Sequence, residues 1–191
     1  MSLKVIAFNG SPRANGNTYQ SLRIILEQLE KAGIETELIQ LGGKTLAGCR
    51  ACGACRQSDE PRCFQADDGM NEYIVKILEA DGVIIGSPVY FGNVTPEVKA
   101  LIDRVGYTTG SRLKNKVGTA VVSVRRAGSN FTYAAINFFF GIKQMIIATS
   151  SYWNMTLSRE VGDVQQDAEG IRTFVTLGEN MAWLLSKTHG E

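Results

Sequence analysis

Short runs of mostly apolar residues alternate along the chain with longer segments in which apolar residues recur every three or four positions. The apolar runs cover residues 3–8, 35–41, 82–86, 117–124 and 144–149. Runs of this length are typical of strands covered on both faces. The longer segments, which predict helices with one buried face, cover 18–32, a stretch opening at 67, 96–105, 130–141 and 167–187. Five strands alternating with helices predict an α/β fold with a parallel sheet and helices on both faces.

The length and composition agree with one domain. The chain has 191 residues, 44% of them hydrophobic, and domains commonly hold roughly 100–200 residues. We therefore treat 1–191 as a single domain, in which residues 42–66, a segment without periodicity, form an ordered loop. The formal net charge of +1 gives no reason to expect nucleic acid as a partner.

The sequence predicts a cytoplasmic protein with no membrane partner. No apolar run approaches the roughly 20 residues that cross a bilayer. The first residues lack the features of a secretory signal. The four cysteines all lie between residues 49 and 63, whereas a disulfide-stapled secreted domain spreads its cysteines through the chain.

The loop after the first predicted strand has the features of an anion site. In parallel sheets, ligands bind beyond the carboxyl ends of the strands, where the strand order reverses. Residues 10–18 contain two glycines and lead directly into a helix, whose free N–H groups and partial positive charge favour an anion. The loop also carries short polar side chains and a cation, namely Ser11, Arg13, Asn17 and Thr18. Its spacing matches neither a P-loop nor the dinucleotide fingerprint, and an ordinary turn is the alternative.

The loop after the third predicted strand, residues 87–96, offers different chemistry. It contains the aromatic pair Tyr90-Phe91, followed by Gly92 and the amide Asn93. These groups suit the face and the polar edge of a planar heterocycle. By itself this loop is weak evidence, because aromatic residues near strand ends are more often part of the core.

Together the two loops resemble the NAD(P)H-dependent FMN reductase and iron–sulfur flavoprotein group of flavodoxin-like proteins. The matching residues are Gly10-Ser11-Pro12-Arg13, Gly16-Asn17-Thr18, Ala80-Asp81-Gly82, Gly86-Ser87-Pro88-Val89-Tyr90-Phe91, Pro96, Lys99 and Asp103-Arg104. They occur in the family's order and span nearly the whole chain. The resemblance implies a flavodoxin-like, five-stranded parallel sheet in the order 2-1-3-4-5, with flavin mononucleotide (FMN) as the cofactor.

The resemblance also assigns residues to the parts of FMN. It implies that the phosphate is held by Ser11, Arg13, Asn17 and Thr18. It implies that the isoalloxazine ring contacts Pro88, Tyr90, Phe91 and Asn93. The loop after the fourth strand lies against the other flavin edge in this family and is often glycine-rich, but here it reads Arg125-Arg126-Ala127-Gly128. Arg125 is therefore either a cation that stabilises reduced, anionic FMN or a solvated surface residue.

The cysteines follow the spacing Cys49-x2-Cys52-x2-Cys55-x7-Cys63. Thiolates at this density suit an iron–sulfur cluster or a tetrahedral zinc ion, since both take soft sulfur ligands. The compact first three favour a cluster, because zinc sites more often use two separated Cys-x2-Cys pairs. The iron–sulfur flavoproteins that the chain resembles bind a [4Fe–4S] cluster through such a pattern. The remaining alternatives are reduced cysteines without metal and an adventitious disulfide.

The resemblance implies an FMN-dependent oxidoreductase in which FMN carries the chemistry, so we nominate no side chain as catalytic. The single histidine, His189, lies near the C-terminus, which argues against histidine-based catalysis. The expected activity is NAD(P)H-dependent reduction of a flavin, a quinone or a similar small acceptor. One alternative is an electron carrier whose cluster and FMN exchange electrons with ferredoxin. Another is a flavodoxin-like binding module without a cofactor.

We also expect a homodimer or a homotetramer. Relatives commonly bind flavin at a dimer interface. The run Phe138-Phe139-Phe140 covers too much of a helix to face only one core. A subunit contact and deep burial within one subunit are the two explanations of this run.

Overall fold

A parallel β-sheet lies at the centre of the computed structural model, which describes residues 2–65 and 67–190. Its strands are β1 (Lys4–Asn9), β2 (Glu35–Gln40), β3 (Gly82–Pro88), β4 (Val117–Val124), β5 (Ile146–Ile147) and β6 (Met155–Leu157). They are hydrogen-bonded in the order β2-β1-β3-β4-β5, all pairs are parallel, and β6 also pairs with β4. The predicted order 2-1-3-4-5 is confirmed.

Helices cover both faces of this sheet. Their bounds are α1 (Asn17–Lys31), α2 (Met70–Glu79), α3 (Pro96–Thr108), α4 (Ser129–Ile142) and α5 (Ala168–Thr188). Val5 and Ala7 of β1 pack with α1 and α5, whereas Ile6 and Phe8 pack with the other three helices. Successive strand residues point to opposite faces of the sheet. In a strand covered on both sides, the residues on each face must therefore be apolar. No helix within the described ranges is both long enough and apolar enough to cross a membrane.

The fifth position of the sheet is made of two short segments. β5 pairs with the start of β4 and β6 with its end, while residues 149–153 leave the sheet between them. The buried Asn154 side chain fills the gap, because its Nδ2 donates to Thr119 Oγ1 at 3.0 Å and to the Ala120 carbonyl at 3.1 Å. The single strand predicted over 144–149 is therefore shorter, and the chain after β6 reaches the carboxyl edge of the sheet.

Two local predictions are refined by the structure. The helix expected to open at residue 67 begins at Met70, after Gly69 takes a left-handed conformation with φ of 85°. In the aromatic run of α4, Phe139 and Phe140 are buried, whereas Phe138 is 75% exposed. Two of the three rings therefore pack in the core, and the third lies on the surface.

Candidate functional site

A cavity of about 290 Å³ opens at the carboxyl edge of the sheet. It is lined by Ser11, Pro12, Arg13, Asn17, Thr18, Pro88, Val89, Tyr90, Ser123, Arg125, Ser158 and Arg159. The strand order reverses between β1 and β3, and the cavity lies beyond those strand ends, where α/β sheets bind ligands. Most of the residues that the sequence nominates for FMN are brought together here, from three separate loops.

The electrostatics of this cavity favour an anion. Helix α1 begins there after Gly16 with no side-chain cap on its first N–H groups, which leaves them free to bind a ligand. Arg13, Arg125 and Arg159 lie in the wall, and none of the described lining residues is a carboxylate. The hydroxyl of Thr18 donates to Ser123 Oγ at 3.1 Å, which fixes both side chains at the floor.

The loop that follows β1 is supported from below by polar residues at the ends of β1 and β2. Asn9 Oδ1 accepts the Ser11 N–H at 3.1 Å, and Asn9 Nδ2 donates to Gln40 Oε1 at 2.6 Å. Gln40 Nε2 in turn donates to the carbonyls of Ser11 and Gly42, both at 2.7 Å. This network holds the Ser11 backbone in place, and its two side chains, Asn9 and Gln40, had no predicted role.

Asn17 has a different task from the one that the sequence predicts. Its Nδ2 donates to the Glu160 carbonyl at 2.7 Å, and its Oδ1 accepts the Gly162 N–H at 2.9 Å. Both polar ends of the side chain are therefore engaged, and what Asn17 offers an anion is its backbone N–H. The side chain instead fixes the segment 158–163 beside the cavity.

That segment supplies two lining residues that the sequence analysis missed, Ser158 and Arg159. Ser158 Oγ is buried and has no hydrogen-bond partner among the described residues. A buried hydroxyl without a partner costs free energy, so an acceptor or donor from a bound ligand would satisfy it. No sequence signal marked the segment, because it follows β6, a three-residue strand too short for a hydrophobic pattern.

The loop after β3 places only part of its predicted contacts in the cavity. Pro88 and Tyr90 line the wall. Tyr90 and Asn93 then close a tight turn through two backbone hydrogen bonds of 2.8 and 3.0 Å, with Phe91 and Gly92 at positive φ. This turn carries Phe91 out into full exposure, and the Asn93 side chain accepts the N–H of Val94. The structure therefore does not bring Phe91 and Asn93 into the cavity.

A second, smaller cavity of about 120 Å³ lies between residues 49–65 and helix α3. It is lined by Cys49, Ala51, Cys52, Gly53, Cys55, Arg56, Cys63, Phe64, Gln65, Arg104, Tyr107 and Thr108. All four cysteines are free thiols, and Cys63 is the buried one. This cavity and the one at the sheet edge have no lining residue in common.

The backbone turns sharply between the first three cysteines. Ala51 and Gly53 have φ values of 52° and 75°, in the left-handed region, and Cys55 lies in a 3-10 turn over Ala54–Arg56. A left-handed alanine costs roughly 1–2 kcal/mol relative to the right-handed conformation. The chain tolerates this cost at a point where reversal of the backbone brings successive thiols to one cavity.

Neighbouring groups shift the acidities of two of these thiols in opposite directions. Burial raises the pKa of Cys55, and the charges of Cys63 and Cys52 raise it further. Burial also opposes ionisation of Cys63, but the Gln65 N–H and the Arg104 guanidinium outweigh it and lower the pKa of that thiol. An array of thiolates repels itself, and a bound cation or cationic cluster relieves that repulsion.

Among the described residues, no three His, Cys, Asp or Glu side chains lie close enough together to share one metal ion. A tetrahedral zinc ion holds each thiolate at about 2.3 Å, so its four sulfurs crowd around a single point. The four cysteines line one cavity, but in the described part of the chain they do not form such a site.

A parallel sheet in this order, with a loop after β1 that leads into a helix and a cavity at the point of strand reversal, defines a flavodoxin-like protein. The solved structure of RosB, with 8-demethyl-8-formylriboflavin-5'-phosphate bound, shares this fold. It has a TM-score of 0.72 at 17% identity, over 100% of this chain and 82% of that chain.

The sequence comparisons are more specific. The model of the NADPH-dependent FMN reductase family matches residues 3–159. An iron–sulfur flavoprotein of Methanocaldococcus jannaschii is 39% identical over 94% of this chain and 96% of its own length. An iron–sulfur flavoprotein of Methanosarcina thermophila is 34% identical over 90% and 89%.

The chain belongs to the NADPH-dependent FMN reductase family and, within it, to the iron–sulfur flavoproteins. It is an FMN-dependent oxidoreductase.

Proposed function

We propose that FMN occupies the cavity at the carboxyl edge, with its phosphate on the loop 10–18. The N–H groups at the start of α1 and the guanidinium of Arg13 would hold the phosphate, and the unpartnered Ser158 hydroxyl suits one of its oxygens or the sugar chain. The free helix start beside three arginines is the observation that carries this assignment. Pro88, Tyr90 and Arg125 would then contact the ring.

When bound, FMN supplies hydride and electron transfer, chemistry that no side chain of the site provides. The protein's own contribution is position and charge. Arg125 faces the cavity from the end of β4, and a guanidinium there stabilises negative charge that develops on the ring system. We infer NAD(P)H as the electron donor and a flavin, a quinone or a similar small molecule as the acceptor, in keeping with the family's name.

We expect Arg159→Ala to raise the Kd for FMN about fivefold, which corresponds to roughly 1 kcal/mol for an exposed charge-assisted contact. Arg159 lines the cavity, whereas Arg126, which does not, gives the matched control Arg126→Ala. The Kd is measured by quenching of flavin fluorescence on titration of the apoprotein. Equal Kd values for the two variants would mean that Arg159 does not contact the bound FMN.

We further propose that the four cysteines hold a [4Fe–4S] cluster. Four free thiols line one cavity, and Arg104 points an N–H at the sulfur of Cys63. These features fit a cluster, which distributes its thiolate ligands over separate irons. They favour the second function considered for this protein, one-electron exchange with a partner such as ferredoxin.

Protein purified without oxygen is expected to contain about four irons per chain with matching acid-labile sulfide. Cys52→Ser, at the most exposed of the four thiols, should lose most of this iron and the broad absorbance while retaining the flavin spectrum. NAD(P)H oxidation and flavin reduction by ferredoxin are then compared in wild type and variant. If Cys52→Ser loses the reaction with ferredoxin but keeps NAD(P)H oxidation, the result supports an electron carrier. If both rates equal those of the wild type, the result supports a reductase that uses FMN without a cluster.

We also propose that the chain self-associates through the groove between α3 and α4. Phe138 and Ile142 are 75% and 82% exposed there, and the groove of about 870 Å³ is lined mainly by apolar atoms. Exposed apolar surface of this kind marks interaction sites. Phe138→Lys is expected to shift the protein toward monomer in sedimentation velocity, with Phe131→Lys, also exposed but outside the groove, as the control. An unchanged sedimentation coefficient for Phe138→Lys would place the interface elsewhere.

The cytoplasmic location stays a prediction, and the clustered free thiols suit a reducing compartment.

A further inference from the structure

Arg104 is a charged side chain on α3 that is only 1% exposed. Its Nε donates to Cys63 Sγ at 3.3 Å, and its Nη1 donates to the Ala47 carbonyl at 3.1 Å and pairs with Asp68 Oδ2 at 2.5 Å. Taking a guanidinium out of water costs several kcal/mol unless every contact is good. The other fully buried side chains of similar size are apolar, so the core does not require a charge here.

Cys63 is also held more firmly than the other cysteines. Its backbone N–H donates to Asn71 Oδ1 at 2.7 Å, and its carbonyl accepts from Asn71 Nδ2 at 3.0 Å. Asn71 therefore fixes this residue through the backbone, and Arg104 holds the sulfur, which also accepts from Gln65 Nε2 at 3.6 Å. They can be removed independently, because Asn71 lies on α2 and Arg104 on α3.

We propose that Arg104 is a positioning residue that holds the Cys63 sulfur as a cluster ligand and raises the reduction potential of the cluster through an N–H···S hydrogen bond. The inference rests on the proposed [4Fe–4S] site. Reduction adds negative charge to a cluster and its sulfurs, so a hydrogen-bond donor and a nearby positive charge stabilise the reduced form. Asp68 opposes this effect, because its carboxylate neutralises part of the guanidinium charge.

The test is a redox titration of the cluster absorbance and its electron paramagnetic resonance signal, made on the full chain loaded with iron. Arg104→Gln is expected to lower the ratio of reduced to oxidised cluster about tenfold at a fixed potential, which is about 59 mV for one electron. Asp68→Asn, which keeps an oxygen acceptor but no charge, is expected to shift the ratio in the opposite direction. A side chain that only supported the loop would not give shifts of opposite sign.

Two control variants separate this effect from general charge and from loosening of the loop. Arg56 lines the same cavity with its guanidinium 4.8 Å above the Tyr107 ring, so Arg56→Gln removes a charge and no hydrogen bond to sulfur. Its shift should stay below about threefold. Asn71→Ala frees the Cys63 backbone and should lower iron retention with an unchanged potential.

Each outcome bears on the inference. A shift in Asn71→Ala or Arg56→Gln as large as that in Arg104→Gln overturns it. If Arg104→Gln fails to load iron, the cluster potential of Asp68→Asn becomes the test. A potential of Asp68→Asn at or below the wild-type value then overturns the inference. Absence of iron and sulfide from anaerobic wild-type protein overturns the cluster itself, whereas loaded variants of equal potential overturn only the role of Arg104.

Discussion

Replacing Gly42 with alanine is expected to weaken FMN binding about tenfold or more and to lower the free energy of unfolding by about 1–3 kcal/mol. Gly42 lies directly beneath the loop proposed to hold the phosphate. A Cβ at this position would overlap the Ser11 carbonyl and come within 2.6 Å of the Gly10 carbonyl oxygen. Backbone atoms cannot rotate away as the end of a side chain can, so the loop itself must move.

The measurement is a fluorescence titration of the apoprotein with FMN, together with urea unfolding of each variant. Gly48→Ala is the matched control, since it lies in the same long loop with no atom within 4 Å of the added Cβ and no positive φ. Its Kd and unfolding free energy should equal those of the wild type. A Gly42→Ala protein that binds FMN normally would mean that this loop does not hold the phosphate in the arrangement described.

Asp68→Ala is expected to lower the free energy of unfolding by about 3–5 kcal/mol, because it leaves the Arg104 guanidinium buried without its counterion. The carboxylate is 13% exposed, its Oδ2 pairs with Arg104, and it also accepts the Ala47 N–H at 3.0 Å. Asp59→Ala, at an exposed aspartate in the same connection between β2 and α2, serves as the control and should change stability by less than about 0.5 kcal/mol. A loss of under 1 kcal/mol in Asp68→Ala would show that the pair contributes little.

The same carboxylate predicts how stability depends on pH. Burial opposes ionisation of Asp68, but the Arg104 guanidinium and the N–H groups of Ala47 and Met70 outweigh it and lower the pKa of this carboxyl. A carboxyl whose pKa is lower in the folded state stabilises the protein above its unfolded pKa, near 3.9, and loses this contribution as the pH falls through the folded value. The stability difference between wild type and Asp68→Asn should therefore be constant near neutral pH and shrink below about pH 4. Chemical unfolding from pH 7 to pH 3 tests this expectation, and a constant difference would contradict it.

The local sequence was sufficient to predict site residues that lie within one strand–loop–helix unit. Ser11 and Thr18 belong to one strand–loop–helix unit, and such a unit has a fixed geometry that exposes the helix start. The structure places both in the cavity, together with Arg13. The position of Arg125 could also be predicted from the sequence, because the loop after β4 must emerge at the same edge of a parallel sheet.

Residue type alone was a poor guide to side-chain direction within those loops. Phe91 has the chemistry of a flavin contact, but the turn between Tyr90 and Asn93 directs it into solvent. Asn17 has the chemistry of a phosphate ligand, but it satisfies the backbone of residues 160–162 instead. Both outcomes depend on backbone dihedrals or on a partner more than a hundred residues away, which periodicity does not encode.

The sequence by itself determined the α/β class, the sheet with both faces buried, the position of the anion loop and the dense cysteine cluster. These properties follow from short-range spacing, because hydrophobic period and loop composition act within one element. Only the tertiary structure decided that β6 brings Ser158 and Arg159 to the first loop, that Arg104 reaches Cys63, and that Gly42 supports Ser11. Those contacts join residues distant along the chain, and packing of the complete sheet and its helices is what selects them.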